Sequence, residues 1–197
     1  MTPKTLRTVI VVVALAGIAL LIAAPNQPFS KRQSTEAVDS REERLQQAVL
    51  KVEGNAPMEG IMELRQLAEE FPDYPDARLY LGLFSLQSGQ TDKAIEHFNK
   101  VLEIDSQNTE AHWQLGFMYF GMADAPKAVH HLSEVIRIDH DNYFAAHYFL
   151  AQALEETGDM EKALSNYREV LEHTDDSTVV AAVKEKIKGL TSTNKIE

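Results

Sequence analysis

A chain of 197 residues has room for one domain of ordinary size and a short additional segment. Its lack of cysteine excludes disulfides, thiolate metal sites and cysteine nucleophiles. With 30 acidic against 19 basic residues and a net charge of −11, it is repelled by phosphates and anionic head groups, which excludes nucleic-acid binding.

Residues 1–8 form a short N-terminus with Lys4 and Arg7, followed by the uncharged apolar run 9–24. At about 1.5 Å per residue a helix over this run spans roughly 24 Å, slightly less than a bilayer core of about 30 Å, with Thr8 and Pro25 able to extend it. A cleaved signal peptide and an uncleaved anchor are both open. A cut after Ala24 would pair it with Ile22 and leave Pro25 next, a poor cleavage site, so we expect a transmembrane signal anchor. Basic residues flank the run on both sides, Lys4 and Arg7 against Lys31, Arg32, Arg41 and Arg44, so charge bias alone does not set the orientation. The layout of an export signal favours a bacterial cytoplasmic membrane protein with its soluble part on the periplasmic side. Release by cleavage, or a domain facing the cytoplasm, are the alternatives. Beyond residue 24 the chain holds 17 basic and 30 acidic residues, a net of −13. Residues 25–40, with Pro25, Pro28 and no apolar period, read as a flexible linker.

From there a motif recurs. Gly89-Gln90-Thr91-Asp92-Lys93-Ala94 returns as Ala123-Asp124-Ala125-Pro126-Lys127-Ala128 and as Gly158-Asp159-Met160-Glu161-Lys162-Ala163, at steps of 34 and 35 residues. An apolar helix precedes each copy, over 79–86, 113–120 and 148–154. A second follows it, with Ala94, Ile95, Phe98, Val101, Leu102 and Ile104, then Ala128, Val129, Leu132, Val135, Ile136 and Ile138, then Ala163, Leu164, Tyr167, Val170 and Leu171. Gly89 and Gly158 stand where the first helix must stop and the backbone turns to positive φ. A period near 34 in helical sequence means stacked helical hairpins that cover one another's apolar faces.

These residues resemble the tetratricopeptide repeat family. Leu81-Gly82, Gly89, Ala94, Phe98 and Val101 match its pattern, as do Leu115-Gly116, Tyr119 and Ala128, and Leu150-Ala151, Gly158, Ala163 and Tyr167. One period earlier, Leu64, Leu67 and Pro72 fit a degenerate copy in which Gly60 replaces the turn alanine. The family's early tryptophan is replaced by Arg78, His112 and His147. Its closing proline survives at Pro72, with Ser106, His140 and Asp175 in its place elsewhere. The resemblance implies an all-α, right-handed superhelical solenoid: a degenerate repeat over 41–74, clear repeats over 75–108, 109–142 and 143–177, and a capping helix and tail over 178–197. Val179, Val180, Ala182, Val183, Ile187 and Leu190 supply the apolar face of that cap, and Lys184, Lys186 and Lys188 its polar one.

The family's first helices line a concave groove. A helical wheel places Leu79, Tyr80, Leu83 and Leu86, then Trp113, Gln114, Phe117 and Phe120, then Tyr148, Phe149 and Gln152 toward it, while Leu81, Leu115 and Leu150 belong to the core. Aromatic anchors beside amides suit a peptide or amphipathic helix with two or three apolar knobs. The same residues could instead be packed between helices, and Trp113, the only tryptophan, fits either place. Members of the family that clamp acidic C-terminal tails use lysine, arginine and asparagine here, so the resemblance does not extend to that ligand.

Seven histidines raise a metal site. His112 and His147 hold equivalent places and could approach each other, whereas His97, His130 and His131 lie on second helices. Without carboxylates at ligand spacing we assign no metal. No phosphate loop, metalloprotease helix or nucleophile elbow occurs, so we expect no enzyme and no cofactor. The expected function is a membrane-anchored adaptor that binds a partner protein's peptide or helix and assists assembly or maturation of an envelope complex. Its layout is similar to that of bacterial periplasmic tetratricopeptide proteins of cytochrome c maturation or of the Sec translocon. The alternative is a structural assembly factor or homo-oligomer that uses its convex or terminal surfaces, with the groove self-occupied.

Overall fold

The structure, a computed structural model, describes residues 40–139 and 144–193. The predicted anchor 9–24 and nearly all of the predicted linker 25–40 lie outside the described residues. Those that are described fall in one compact unit, Val38–Glu197. They form nine α-helices and no strand: α1 (Ser40–Glu53), α2 (Pro57–Glu70), α3 (Pro75–Gln87), α4 (Thr91–Ile104), α5 (Thr109–Gly121), α6 (Ala125–Ile138), α7 (Phe144–Thr157), α8 (Met160–His173) and α9 (Ser177–Thr193). Among the described residues no helix is long and apolar enough to cross a membrane.

Local chemistry sets the helix ends. Pro57 and Pro75 occupy the first positions of α2 and α3, where the missing N–H costs nothing. Asn108 Oδ1 accepts from the Ala111 amide at 2.9 Å, and Asp159 Oδ1 from the Lys162 amide at 3.2 Å, capping α5 and α8. Helices α3, α5 and α7 end in the same way. Gly89 N donates to Leu86 O and Gln90 N to Ser85 O, a pair of bonds repeated from Ala123 and Asp124 and from Gly158 and Asp159. This closure needs a left-handed residue. Gly89 has φ of +74° and Gly158 of +85°, and the middle copy forces the same conformation on Ala123 at 59°.

Four antiparallel hairpins follow, α1–α2, α3–α4, α5–α6 and α7–α8, each packed on the next, with α9 against α8. Small residues permit the close approach within a hairpin. Ala94, Ala128 and Ala163 are fully buried. A methyl group on Gly82 would lie 2.6 Å from the Phe98 ring, and one on Gly116 would lie 2.8 Å from Leu132. Gly60, at the same register as these alanines, sits closer still: a Cβ there would lie 2.5 Å from the Ala48 carbonyl oxygen. The glycine that makes this repeat look degenerate is therefore what its α1–α2 contact requires.

First helices of successive hairpins also touch, α1 with α3 and α5 with α7. The second helices make no comparable contact with one another among the described residues. The stack is therefore tighter on the first-helix side, which is the concave side of a solenoid. Leu45, Leu64, Leu67 and Leu81 centre one core cluster; Phe98, Trp113, Leu115, Leu132 and Leu150 centre a larger one. At the C-terminal end Val183 of α9 is buried on Tyr167 and Ala151, with Ile187 and Leu190 beside it. Lys186 Nζ reaches Glu155 at 3.0 Å, so the cap is tied to α7 as well as α8.

Candidate protein-binding face

The first helices carry aromatic residues at intervals that place them on one side. On α3, Tyr80 and Phe84 are one turn apart with ring centroids 6.2 Å apart. On α5, Trp113 stacks on Phe117 at 6.0 Å. Phe149 of α7 joins the two helices, edge-on to Phe117 at 5.1 Å, to Phe120 at 5.4 Å and to Trp113 at 5.9 Å. Tyr148 continues the row, 5.6 Å from Phe149 and 6.2 Å from Tyr167. Edge-to-face contacts at these distances fix the rings beyond what apolar burial alone achieves.

Burial divides the residues assigned to the groove. Leu79 is 1 % exposed and Trp113 is 3 % exposed, both inside the larger core cluster. Tyr80, Leu83, Gln114, Phe117, Phe120, Tyr148, Phe149 and Gln152 are half-buried, as is Leu86. Leu81, Leu115 and Leu150 are buried. A wheel drawn on one helix misses the first two because α3 is covered by α1, α2 and α4, and α5 by α4, α6 and α7, which leaves little of either circumference open. Phe84, half-buried beside Tyr80, was not among the assigned residues; its spacing of four from Tyr80 was the available signal.

The face is electrically one-sided. Neither α5 nor α7 contains a lysine or arginine. The single arginine of α3, Arg78, donates to the Ala68 carbonyl at 3.3 Å. Gln114 Nε2 donates to Glu110 at 2.7 Å. Burial, and then the charge of Glu42, holds the Asp76 carboxyl above its ordinary range. Burial and Asp76 raise the Tyr80 phenol, and burial and Glu155 raise that of Tyr148. Both hydroxyls therefore remain protonated donors at neutral pH.

His112, His130 and His131, which touch one another, belong to a single repeat. His112 and His147, whose equivalent places left an approach open, each find a partner within their own hairpin, at His131 and Asn166. Among the described residues no group of three or more histidine, aspartate or glutamate side chains is arranged to hold a metal ion.

A family model described as TPR repeat matches residues 85–122, and one described as tetratricopeptide repeat matches 119–177. The stretch 85–177 therefore consists of tetratricopeptide repeats, and the chain has the architecture of a repeat scaffold for protein interaction. Solved structures of the same fold include MamA from residue 41 to the end from Desulfovibrio magneticus RS-1. That chain is 17% identical with a TM-score of 0.61, over 79% of this chain and 97% of that one. A crystal structure of MamA protein is 20% identical with a TM-score of 0.63, over 78% of this chain and 85% of that one. MamA AMB-1 is 20% identical with a TM-score of 0.60, over 80% and 96%. No curated protein sequence matches the chain.

Proposed function

We propose that this protein is a membrane-tethered adaptor that holds an apolar or amphipathic helix of a partner protein against α3, α5 and α7, and thereby assists assembly or maturation of an envelope complex. The observation that carries this reading is two groups of half-buried rings on first helices, Tyr80 with Phe84 on α3, and Phe117, Phe149 and Tyr148 across the touching α5 and α7. Aromatic anchors with their edges in place lose little freedom when a partner docks, which is why such residues dominate interface energies. Membrane attachment is assigned to residues 9–24 and a periplasmic location to the repeats, on the composition of the N-terminus alone.

A second reading rests on a separate observation. Leu50, Met58 and Met62 of the first hairpin are 67 %, 71 % and 65 % exposed, at the end of the stack that has no capping helix among the described residues. An assembly factor acting through its terminal surface would use these residues.

One experiment tests both readings. The full-length protein, a Phe117→Ser, Phe149→Ser variant and a Met58→Ser, Met62→Ser variant are expressed in the native host, and partners are captured from detergent extracts of alkaline-washed membranes. The adaptor reading expects the protein in the washed membranes and specific partners lost only with the first variant. Loss only with the second variant favours the terminal surface. Complete extraction by the wash contradicts the anchor.

A further inference from the structure

The third hairpin contains a pair of imidazoles in direct contact. His112 of α5 and His131 of α6 are 5 % and 8 % exposed, and their Nδ1 atoms lie 3.1 Å apart. His112 Nε2 is 3.3 Å from the Ser106 carbonyl oxygen, which only accepts, so Nε2 carries the proton of that ring. The bare Nδ1 of His112 must then accept, and His131 Nδ1–H donates. The fourth hairpin has the same two positions, again 19 residues apart, occupied by His147 and Asn166. There Nδ1 donates to Oδ1 at 2.8 Å, and Asn166 Nδ2 donates to the Lys162 carbonyl at 2.9 Å, which fixes the amide with its oxygen toward the ring. An amide oxygen accepts from imidazole and imidazolium alike. Two imidazoles share a bond only while one keeps its lone pair, and a second proton sets two donors against each other.

We propose that the His112–His131 clasp is an acid-sensitive lock between α5 and α6, released by protonation, while the equivalent His147–Asn166 clasp survives acid. The lock stands on the geometry of the pair and does not depend on which partner the aromatic face holds.

The surroundings reinforce it. Tyr119 of α5 stacks on His131 at 5.6 Å, with Lys127 Nζ 4.7 Å over the Tyr119 ring. His130 lies edge-on to His131 at 4.9 Å and to His112 at 6.3 Å. Glu134 favours a positive charge on either ring, but Arg137 already holds it at 2.8 Å. From the segment before α5 come the Ser106 carbonyl and Gln107, the latter bonded to Arg137 at 2.9 Å. On α4 the titratable ring is His97, acted on by Glu96, Lys100, Arg78 and Arg65, and on α7 it is His147, bonded to α8. Burial, followed by the charges of His112 and His130, brings His131 down to about 4; burial likewise lowers His112. The unfolded chain takes up these protons near pH 6.5 and the folded chain resists them. The stabilisation is therefore fully present above about pH 6.5 and is lost as pH falls toward 4.

Trp113, next to His112 and 3 % exposed, is the reporter, as the only tryptophan in the chain. Its emission maximum and acrylamide quenching are followed in the full-length protein, in neutral detergent, from pH 8 to 4.5, with far-ultraviolet circular dichroism alongside. We expect a red shift with a midpoint between pH 4.5 and 6.5 while most helicity persists. His131→Asn, which installs the fourth hairpin's pair, should abolish the shift or move it down by about one pH unit or more. Asn166→His should lower Tm at pH 5 relative to pH 7.5 by about 3 °C more than in the wild type. A wild-type emission maximum that stays constant to pH 4.5, or the same shift in His131→Asn, overturns the proposal. If His131→Asn does not fold at pH 7.5, histidine NMR of the wild type decides. A shared, depressed titration of His112 and His131 supports the lock, and independent titration near 6.5 overturns it.

Discussion

Ala123 carries a conformation that its side chain resists. Its φ of 59° is the left-handed turn that Gly89 and Gly158 supply in the neighbouring hairpins, and the same two closing hydrogen bonds form around it. An L-residue with a Cβ pays about 1 kcal/mol for this region. Nothing lies within 4 Å of the Cβ position at either glycine, so the turn is open and the penalty is purely local. Ala123→Gly should raise Tm by about 2–4 °C in thermal melts followed by circular dichroism. A lowered Tm would show that the entropy added to the unfolded chain outweighs the relief of strain. The two glycine turns were legible from sequence because the motif recurs in phase. Which rings stay accessible was not legible, since Trp113 and Phe117 share a helix face and both touch Phe149, yet Trp113 is buried in the core cluster and Phe117 is only half-buried.

At the scale of elements, the second helices α4, α6 and α8 are amphipathic, and their apolar positions could be read directly: Ala94, Phe98 and Val101 are buried, as are Ala128, Leu132 and Val135. The first helices α3, α5 and α7 are apolar nearly all round because each packs against a neighbouring hairpin as well as its own partner helix, so periodicity could not separate groove from core. The pairing of His112 with His131 was also hidden in the sequence. It depends on the relative rotation of two helices, which a position in the repeat does not specify. Helix α9 is the least covered element, with Val183 buried and Ile187 and Leu190 half-buried against α7 and α8. Burying side chains of this size contributes about 1.5–3 kcal/mol each when complete. Ending the chain after Asp176 should therefore lower Tm by about 5 °C or more and promote aggregation through the uncovered Tyr167 and Val170 face. An unchanged Tm with a monodisperse scattering profile would show that α9 is not a cap.

For the molecule as a whole, one-dimensional stacking explains both what holds it together and what it presents. Each hairpin covers only its neighbours, so the proposed docking face is assembled from the first helices of successive hairpins, with α5 and α7 in direct contact. Its lack of lysine and arginine on α5 and α7, within a strongly acidic chain, suits an apolar partner segment with neutral or basic flanks. The overall architecture was readable because a 34-residue period admits few folds; the partner was not, because the repeat pattern specifies the scaffold and not the side chains it displays. The most direct measurement is photo-crosslinking in living cells with a benzophenone amino acid placed singly at Tyr80, Phe117 and Tyr148, and at Glu96 and Arg168 on second helices as controls. A docking face on the first helices gives a discrete protein adduct from Tyr80, Phe117 and Tyr148 and none from the controls. Adducts confined to the second-helix positions, or equal at all five, would contradict it.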